Sequence, residues 1–207
     1  MFMDNQVRIA VLVSGGGTNL QTLIDAEQAG TIQSGSIQLV VSNNPSAFAL
    51  ERAAKAGIDT VVVSRKKCGS QEAFEQAIMD ALSQYQIDII VLAGFMSILS
   101  ERFTSTYPKR IINVHPSLIP SFCGKGFYGL RVHEAALAYG VKVTGATVHF
   151  VNEIPDGGEI ILQKAVAIRE NDTPETLQKR VMRLAEWKIL PAAVEKVAAQ
   201  MKGQKGE

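Results

Sequence analysis

The sequence predicts a doubly wound α/β fold: a mostly parallel sheet with helices on both faces and an antiparallel strand pair near the C-terminus. Three observations predict it. Apolar, β-branched runs alternate with helical segments as far as His115. The run Ile87–Leu92 is apolar on both faces, as in a parallel strand covered on both sides. The later runs Lys142–Val151 and Ile160–Ile168 are joined by a connection too short for a helical crossover, so they pair antiparallel.

The elements follow in order. Val7–Val13 reads as a strand and Thr18–Ala29 as a helix. Ile37–Val41 is a strand, and Ala47–Ala56 a helix stopped by Gly57. Thr60–Val63 is a strand, Gln71–Gln84 a helix, and Ile98–Thr104 a short helix leading to the strand Arg110–His115. Arg131–Tyr139 is a helix stopped by Gly140, and Lys142–Val151 alternates, with Val143, Gly145, Thr147 and His149 on one face. Thr173-Pro174 starts the final helix, with Thr as N-cap and Pro in the first turn. That helix carries Leu177, Val181, Leu184, Trp187 and Ile189; Pro191 should kink or divide it. The tail Gly203–Glu207 should fray. Residues 1–207 read as a single domain, divided at His115 into two halves.

Composition narrows the function classes. With 21 basic against 20 acidic residues the net charge is +1, which gives no basic field for nucleic acid. No apolar stretch approaches a membrane span, and no signal peptide is read at the N-terminus. Cys68 and Cys123 lie in different segments and read as reduced thiols. A cytoplasmic protein acting on small molecules is the expectation.

Chemistry concentrates in Ile111–Pro120. The alternation of a strand puts Asn113 and His115 on one side, and Pro116 ends the strand directly after them. An amide and an imidazole then stand at the C-terminal sheet edge, where open α/β sheets bind ligands. Two solvated polar residues at a strand end are the plainer alternative.

Ser14-Gly15-Gly16-Gly17-Thr18-Asn19 joins the first strand to the first helix. Glycine amides approach an anion closely, and a helix N-terminus favours negative charge, so the loop suits a phosphate; a tight turn is the alternative. Leu20 occupies the place of the third glycine of a dinucleotide motif, and no Gly-Lys-Ser/Thr follows. A phosphate monoester therefore fits better than NAD or ATP.

Asp156 sits in Asn152-Glu153-Ile154-Pro155-Asp156-Gly157-Gly158. It either caps the Pro-Asp-Gly turn or points into the sheet-end cleft, where it would raise the His115 pKa. A cationic His beside an amide donor suits a developing oxyanion. His149 reads as structural or pocket-lining and His133 as a surface residue. The three histidines show no metal-ligand spacing, so no metal is expected. Cys123 has no evident base, and no Gly-x-Ser-x-Gly elbow exists.

Together these segments resemble the phosphoribosylglycinamide formyltransferases, a branch of the formyltransferase superfamily. The likeness rests on Val13–Gln21, Leu92-Ala93-Gly94-Phe95-Met96, Asn113–Pro120, Val148–Val151 and Asp156-Gly157-Gly158. It implies a Rossmann-like formyltransferase domain with a phosphate-binding half before residue 116 and a half with the folate pocket, catalytic loop and C-terminal helix after it. It implies 10-formyltetrahydrofolate as formyl donor, glycinamide ribonucleotide as acceptor, no metal, and a monomer or homodimer. By resemblance, Asn113, His115 and Asp156 are the catalytic trio. Gly16, Gly17, Thr18, Asn19, Gly94, Pro116 and Glu186 match the nucleotide site, with Glu186 on the ribose hydroxyls. Phe95, Met96, Ser97, Ile98, Leu99, Ile111, Asn113, Val151, Glu153 and Asp156 match the folate site, much of it through backbone. Two departures stand out. Gln71 replaces an Arg that reaches the phosphate in some members, so either Lys66 or Lys67 substitutes for it or nothing does. The Cys123–Leu130 loop is longer than in some relatives. Two other members are weighed: a tRNA formyltransferase is expected to carry a further C-terminal domain, and a formyl hydrolase a further N-terminal one. A non-catalytic phosphometabolite-binding module is the reading from another class.

Overall fold

The computed structural model describes residues 6–205. β1 (Val7–Val13) is followed by α1 (Thr18–Gln28), β2 (Gly35–Ser42), α2 (Phe48–Lys55), β3 (Asp59–Val62), α3 (Arg65–Cys68) and α4 (Gln71–Gln84). Then come β4 (Ile89–Leu92), α5 (Glu101–Thr106), β5 (Ile111–His115), α6 (Leu130–Tyr139), β6 (Val143–Phe150) and β7 (Ile160–Ala167). The chain ends in α7 (Pro174–Val181), a π-helical turn (Met182–Glu186) and α8 (Trp187–Lys205).

The seven strands form one sheet in the order β3-β2-β1-β4-β5-β6-β7. The first five are parallel, and β6 is antiparallel to both β5 and β7. Two cores result from the alternation along β1. Val7, Ile9, Val11 and Val13 face α1, α2, α7 and α8, whereas Ala10 and Leu12 face α4 and α5. The direction of winding reverses between β1 and β4, and the crevice at such a reversal is the ligand position in doubly wound folds.

Local chemistry sets the boundaries. Ser70 caps α4 by accepting from the Ala73 amide, and Ser100 caps α5 through Phe103, so α5 starts later than the apolar run at Ile98 implies. Thr173 and Thr176 form a reciprocal cap at α7. α3 has no counterpart among the sequence expectations.

The break in the C-terminal helix falls at Met182–Glu186 rather than at Pro191, which lies inside α8. Trp187, the residue whose carbonyl the Pro191 ring would strike, has ψ −8°, well away from the regular helical value. The wide turn also changes which side chains face inward. Ala185 and Glu186 are buried, and Leu184, expected on the apolar face, is 39% exposed. Gly203–Lys205, expected to fray, continue α8; Gly206 and Glu207, like the N-terminal Met1–Asn5, lie outside the described residues. Among the described residues no helix is long and apolar enough to cross a membrane.

Gly158 shows how tightly the β6–β7 connection is folded: a Cβ there would lie 1.7 Å from the Phe150 carbonyl oxygen. Gly158→Ala is therefore expected to destabilise the protein by about 3 kcal/mol or more, the upper part of the overpacking range, because backbone has to move. Chemical denaturation measures it, and a loss below about 1 kcal/mol would show that the connection yields freely.

Candidate active site

A cavity of about 680 Å³ opens at the C-terminal ends of β1, β4 and β5. Asn19, Gly94–Ile98, Asn113–Pro116, Gly124–Gly129, Asp156 and Glu186 are in its wall, together with His133. Asn113 and His115 leave β5 on the same side, and the antiparallel register places Asn113 opposite His149 and His115 opposite Thr147. Asp156 arrives from the β6–β7 connection. Its turn closes with Gly157 N–H donating to the Ile154 carbonyl, with Pro155 second and Asp156 third at φ 57°. A turn with positive φ at its third residue tolerates Asp better than most residues.

The carboxylate of Asp156 lies between two imidazoles. Oδ2 is 3.5 Å from His115 Nδ1, and Oδ1 is 3.7 Å from His149 Nε2. The Gly124 amide donates to Oδ2 at 2.8 Å. Burial pushes the Asp156 pKa up, but the His149 and His115 rings and the Gly124 amide together hold it below the ordinary carboxylate value. His115 Nε2 is 2.9 Å from the Phe122 carbonyl, which can only accept, so that nitrogen carries a proton. Nδ1 is therefore the nitrogen that gains or loses one, and it faces Asp156.

The sequence implied that Asp156 raises the His115 pKa, and its contribution has that sign. Burial is larger, however, and His149 adds to it, so the net pKa lies below the ordinary histidine value.

His133 corrects a second expectation: it is fully buried in the cavity wall, not on the surface. Burial, with His115 nearby, pushes its pKa down to about 4, so near neutral pH it adds no charge beside His115. The apolar spacing of His133 with Ala136 and Leu137 on one face of α6 was the available signal. Sequence reasoning also missed the structural part played by the loop before α6. Phe122 and Gly124 hold His115 and Asp156 through main-chain atoms, and the Phe122 ring packs edge-on against Phe127 and Tyr139. Burial and the Asp156 charge raise the Cys123 thiol pKa, which opposes a thiolate nucleophile.

At the α1 end of the cavity, Asn19 Nδ2 donates to Glu186 Oε2 at 2.9 Å, joining α1 to the π turn. Burial pushes the Glu186 pKa up, with the Asn19 amide opposing it. Gly17, the N-cap of α1, has φ 70°, and a Cβ there would lie 2.6 Å from Ala49 Cβ. No side chain caps that helix, and its first turn carries no acidic residue, so its amides are disposed to meet an anion. Gly94 and Pro116 are in the cavity wall, while Gly16, Gly17 and Thr18 form the turn that leads to Asn19. Lys66 and Lys67 are exposed on α3, and Gln71 donates to Glu75 and the Ile98 carbonyl; none of the three lines the cavity.

The expected folate residues divide into two groups. Phe95, Met96, Ser97 and Ile98 are in the wall, with Met96 57% and Ile98 69% exposed. Leu99 and Ile111 are core residues, and Val151 packs against that core while its amide donates to the Ile111 carbonyl. Glu153 is exposed on the β6–β7 connection. Among the described residues no three His, Cys, Asp or Glu side chains cluster as metal ligands.

The formyl transferase family pattern matches residues 7–194, a span that includes every element around this cleft. The chain belongs to the formyl transferase family. It is 42% identical to the phosphoribosylglycinamide formyltransferase of Haemophilus influenzae, over 90% of this chain and 85% of that protein. It is 46% identical to the human trifunctional purine biosynthetic protein adenosine-3, over 96% of this chain. The chain spans only 19% of that protein's length. The crystal structure of glycinamide ribonucleotide transformylase 1 from Symbiobacterium toebii superposes with a TM-score of 0.89 at 39% identity, covering 97% of this chain and 92% of that one. Membership of the family implies a folate-type formyl donor.

Proposed function

We propose that this chain transfers the formyl group of 10-formyltetrahydrofolate to the glycinamide amine of 5'-phosphoribosylglycinamide, in the cytoplasm, as a step of purine synthesis. The observation that carries the reading is the meeting of Asn113, His115 and Asp156 at the β5 edge, within one cavity with Asn19 and Glu186. Acyl transfer between two amines needs an oxyanion partner and a proton acceptor, and this arrangement offers both.

The wall fits the two substrates. The exposed side chains of Met96 and Ile98, beside Phe95 stacked on Phe74, give an apolar ledge for a flat heterocycle. The α1 N-terminus suits the phosphate, and the Glu186 carboxylate, held by Asn19, suits ribose hydroxyls. Asn19 Oδ1 is buried without a partner among the described residues, a polar group that a bound hydroxyl or water would satisfy.

When bound, the folate supplies an activated formyl carbon. Asn113 donates toward the formyl oxygen as charge develops there. The glycinamide nitrogen bonds to the formyl carbon while His115 Nδ1 accepts the proton it gives up, with Asp156 steadying the imidazolium and the charged ring stabilising the oxyanion. As the oxyanion collapses the C–N10 bond breaks, and the proton passes from His115 to N10 of the departing tetrahydrofolate.

A spectrophotometric assay with a 10-formyl folate tests the reading directly. Deformylation is expected only when the nucleotide is present; equal deformylation without it would make the chain a hydrolase. Asn19→Ala is expected to raise the KM for the nucleotide roughly tenfold, about the worth of one hydrogen bond to a charged group, with the folate KM little changed.

A further inference from the structure

We propose that His149 is a positioning residue that fixes which end of the Asn113 amide faces the reacting formyl group. The inference deepens the functional reading above and rests on it for its kinetic consequence. The chain of hydrogen bonds begins at Phe150. Its carbonyl oxygen can only accept, and it lies 2.8 Å from His149 Nδ1, so Nδ1 carries a hydrogen. The Asn113 Nδ2 that faces the other ring nitrogen can only donate, so Nε2 is the accepting atom. Asn113 Nδ2 is 3.1 Å from Nε2, and the contact is favourable only when the amide presents its NH2 end there. One amide hydrogen then goes to His149, and the other remains for the cavity wall that Asn113 and His115 share.

The reverse orientation fails on both counts. Asn113 Oδ1 would face the Nε2 lone pair, and an amide oxygen would meet the oxygen on which negative charge develops. The placement is rigid, because Asn113 and His149 are directly opposed across β5 and β6 and His149 is 1% exposed. Asp156 Oδ1, 3.7 Å from Nε2, is the charged group that faces the ring, with His115 beyond it. A second proton on Nε2 would be drawn to Asp156 and would oppose the Asn113 NH2, so the neutral Nδ1–H tautomer is the competent one. Asn113 contacts the reacting atoms, and His149 acts through it.

The experiment compares His149→Phe and His149→Gln, each alone and combined with Asn113→Ala. Removing the acceptor in His149→Phe is expected to lower kcat roughly 10–100-fold, somewhat less than loss of an oxyanion donor itself, with the KM of both substrates within about threefold. His149→Gln, whose Oε1 can accept from the same Nδ2, is expected to recover most of that loss. His149→Phe combined with Asn113→Ala should be no slower than Asn113→Ala alone, because residues acting through one another do not add. Nitrogen NMR of the ring in the native chain should show Nδ1 protonated and Nε2 bare. Multiplicative losses in the double variant, a Gln variant as slow as the Phe variant, or an Nε2-protonated ring would each overturn the proposal. The NMR arm needs neither turnover nor a variant. Should the native chain fail to transfer formyl, the tautomer still decides the positioning, and the two failures stay distinct.

Discussion

His115→Ala is expected to lower kcat by about 10³-fold or more, the combined scale of a lost proton acceptor and a lost oxyanion partner in the proposed mechanism. Both losses fall on the same atom. Nδ1 is the titrating nitrogen because the Phe122 carbonyl holds the proton on Nε2. In the proposed mechanism the ring's charge appears only as the reaction proceeds, so the KM for either substrate is expected to move little. The fold is expected to survive, since the residue ends β5 and its removal enlarges an existing cavity rather than opening a new one. Steady-state kinetics at saturating substrates, beside a thermal melt, measure both effects. A kcat within tenfold of the native value would remove His115 from the chemistry.

Asp156→Asn should lose about 10²–10⁴-fold in kcat, the range for a residue that supports general acid–base catalysis. Its pH signature is more telling than its size. The His115 pKa is lowered by burial and partly restored by the Asp156 charge. Removing that charge leaves burial with less opposition, so the His115 pKa falls further. The acid limb of kcat/KM, which reports the free enzyme, should therefore move to lower pH in the variant. Asp156 itself lies below its ordinary value and stays ionised through that window. An acid limb that stays in place or moves upward would show that Asp156 does not act through the His115 charge.

The legibility of the site in the sequence follows from the range of the forces that build it. Asn113 and His115 share a side because a strand alternates, which is a local rule, and Pro116 marks the end of that strand. The doubly wound sheet was legible for the same reason, because apolar runs and helix stops are written in short stretches of chain. Asp156 could be named but not placed. Its position depends on the β5–β6 register and on the Gly124 amide, both settled by tertiary packing. The π turn was invisible because helical periodicity assumes a constant pitch, and one wide turn moves Leu184 outward and Glu186 inward. The raising effect of Asp156 on the His115 pKa was legible, but the net lowering was not, because charge pairing can be guessed from neighbours, whereas desolvation depends on everything packed around the ring.

The loop that joins β5 to α6 holds His115 through the Phe122 carbonyl and Asp156 through the Gly124 amide. Neither grip uses a side chain. Substitutions at 122 and 124 that preserve the backbone path leave both grips in place, whatever chemistry they introduce. An inserted or deleted residue between His115 and Gly124 shifts the two peptide groups together and releases both His115 and Asp156 at once. The quantity under constraint is the number of residues from His115 to Gly124, together with the left-handed backbone that favours glycine at 124; beyond Gly124 the loop is free to differ in length among related proteins while both grips persist.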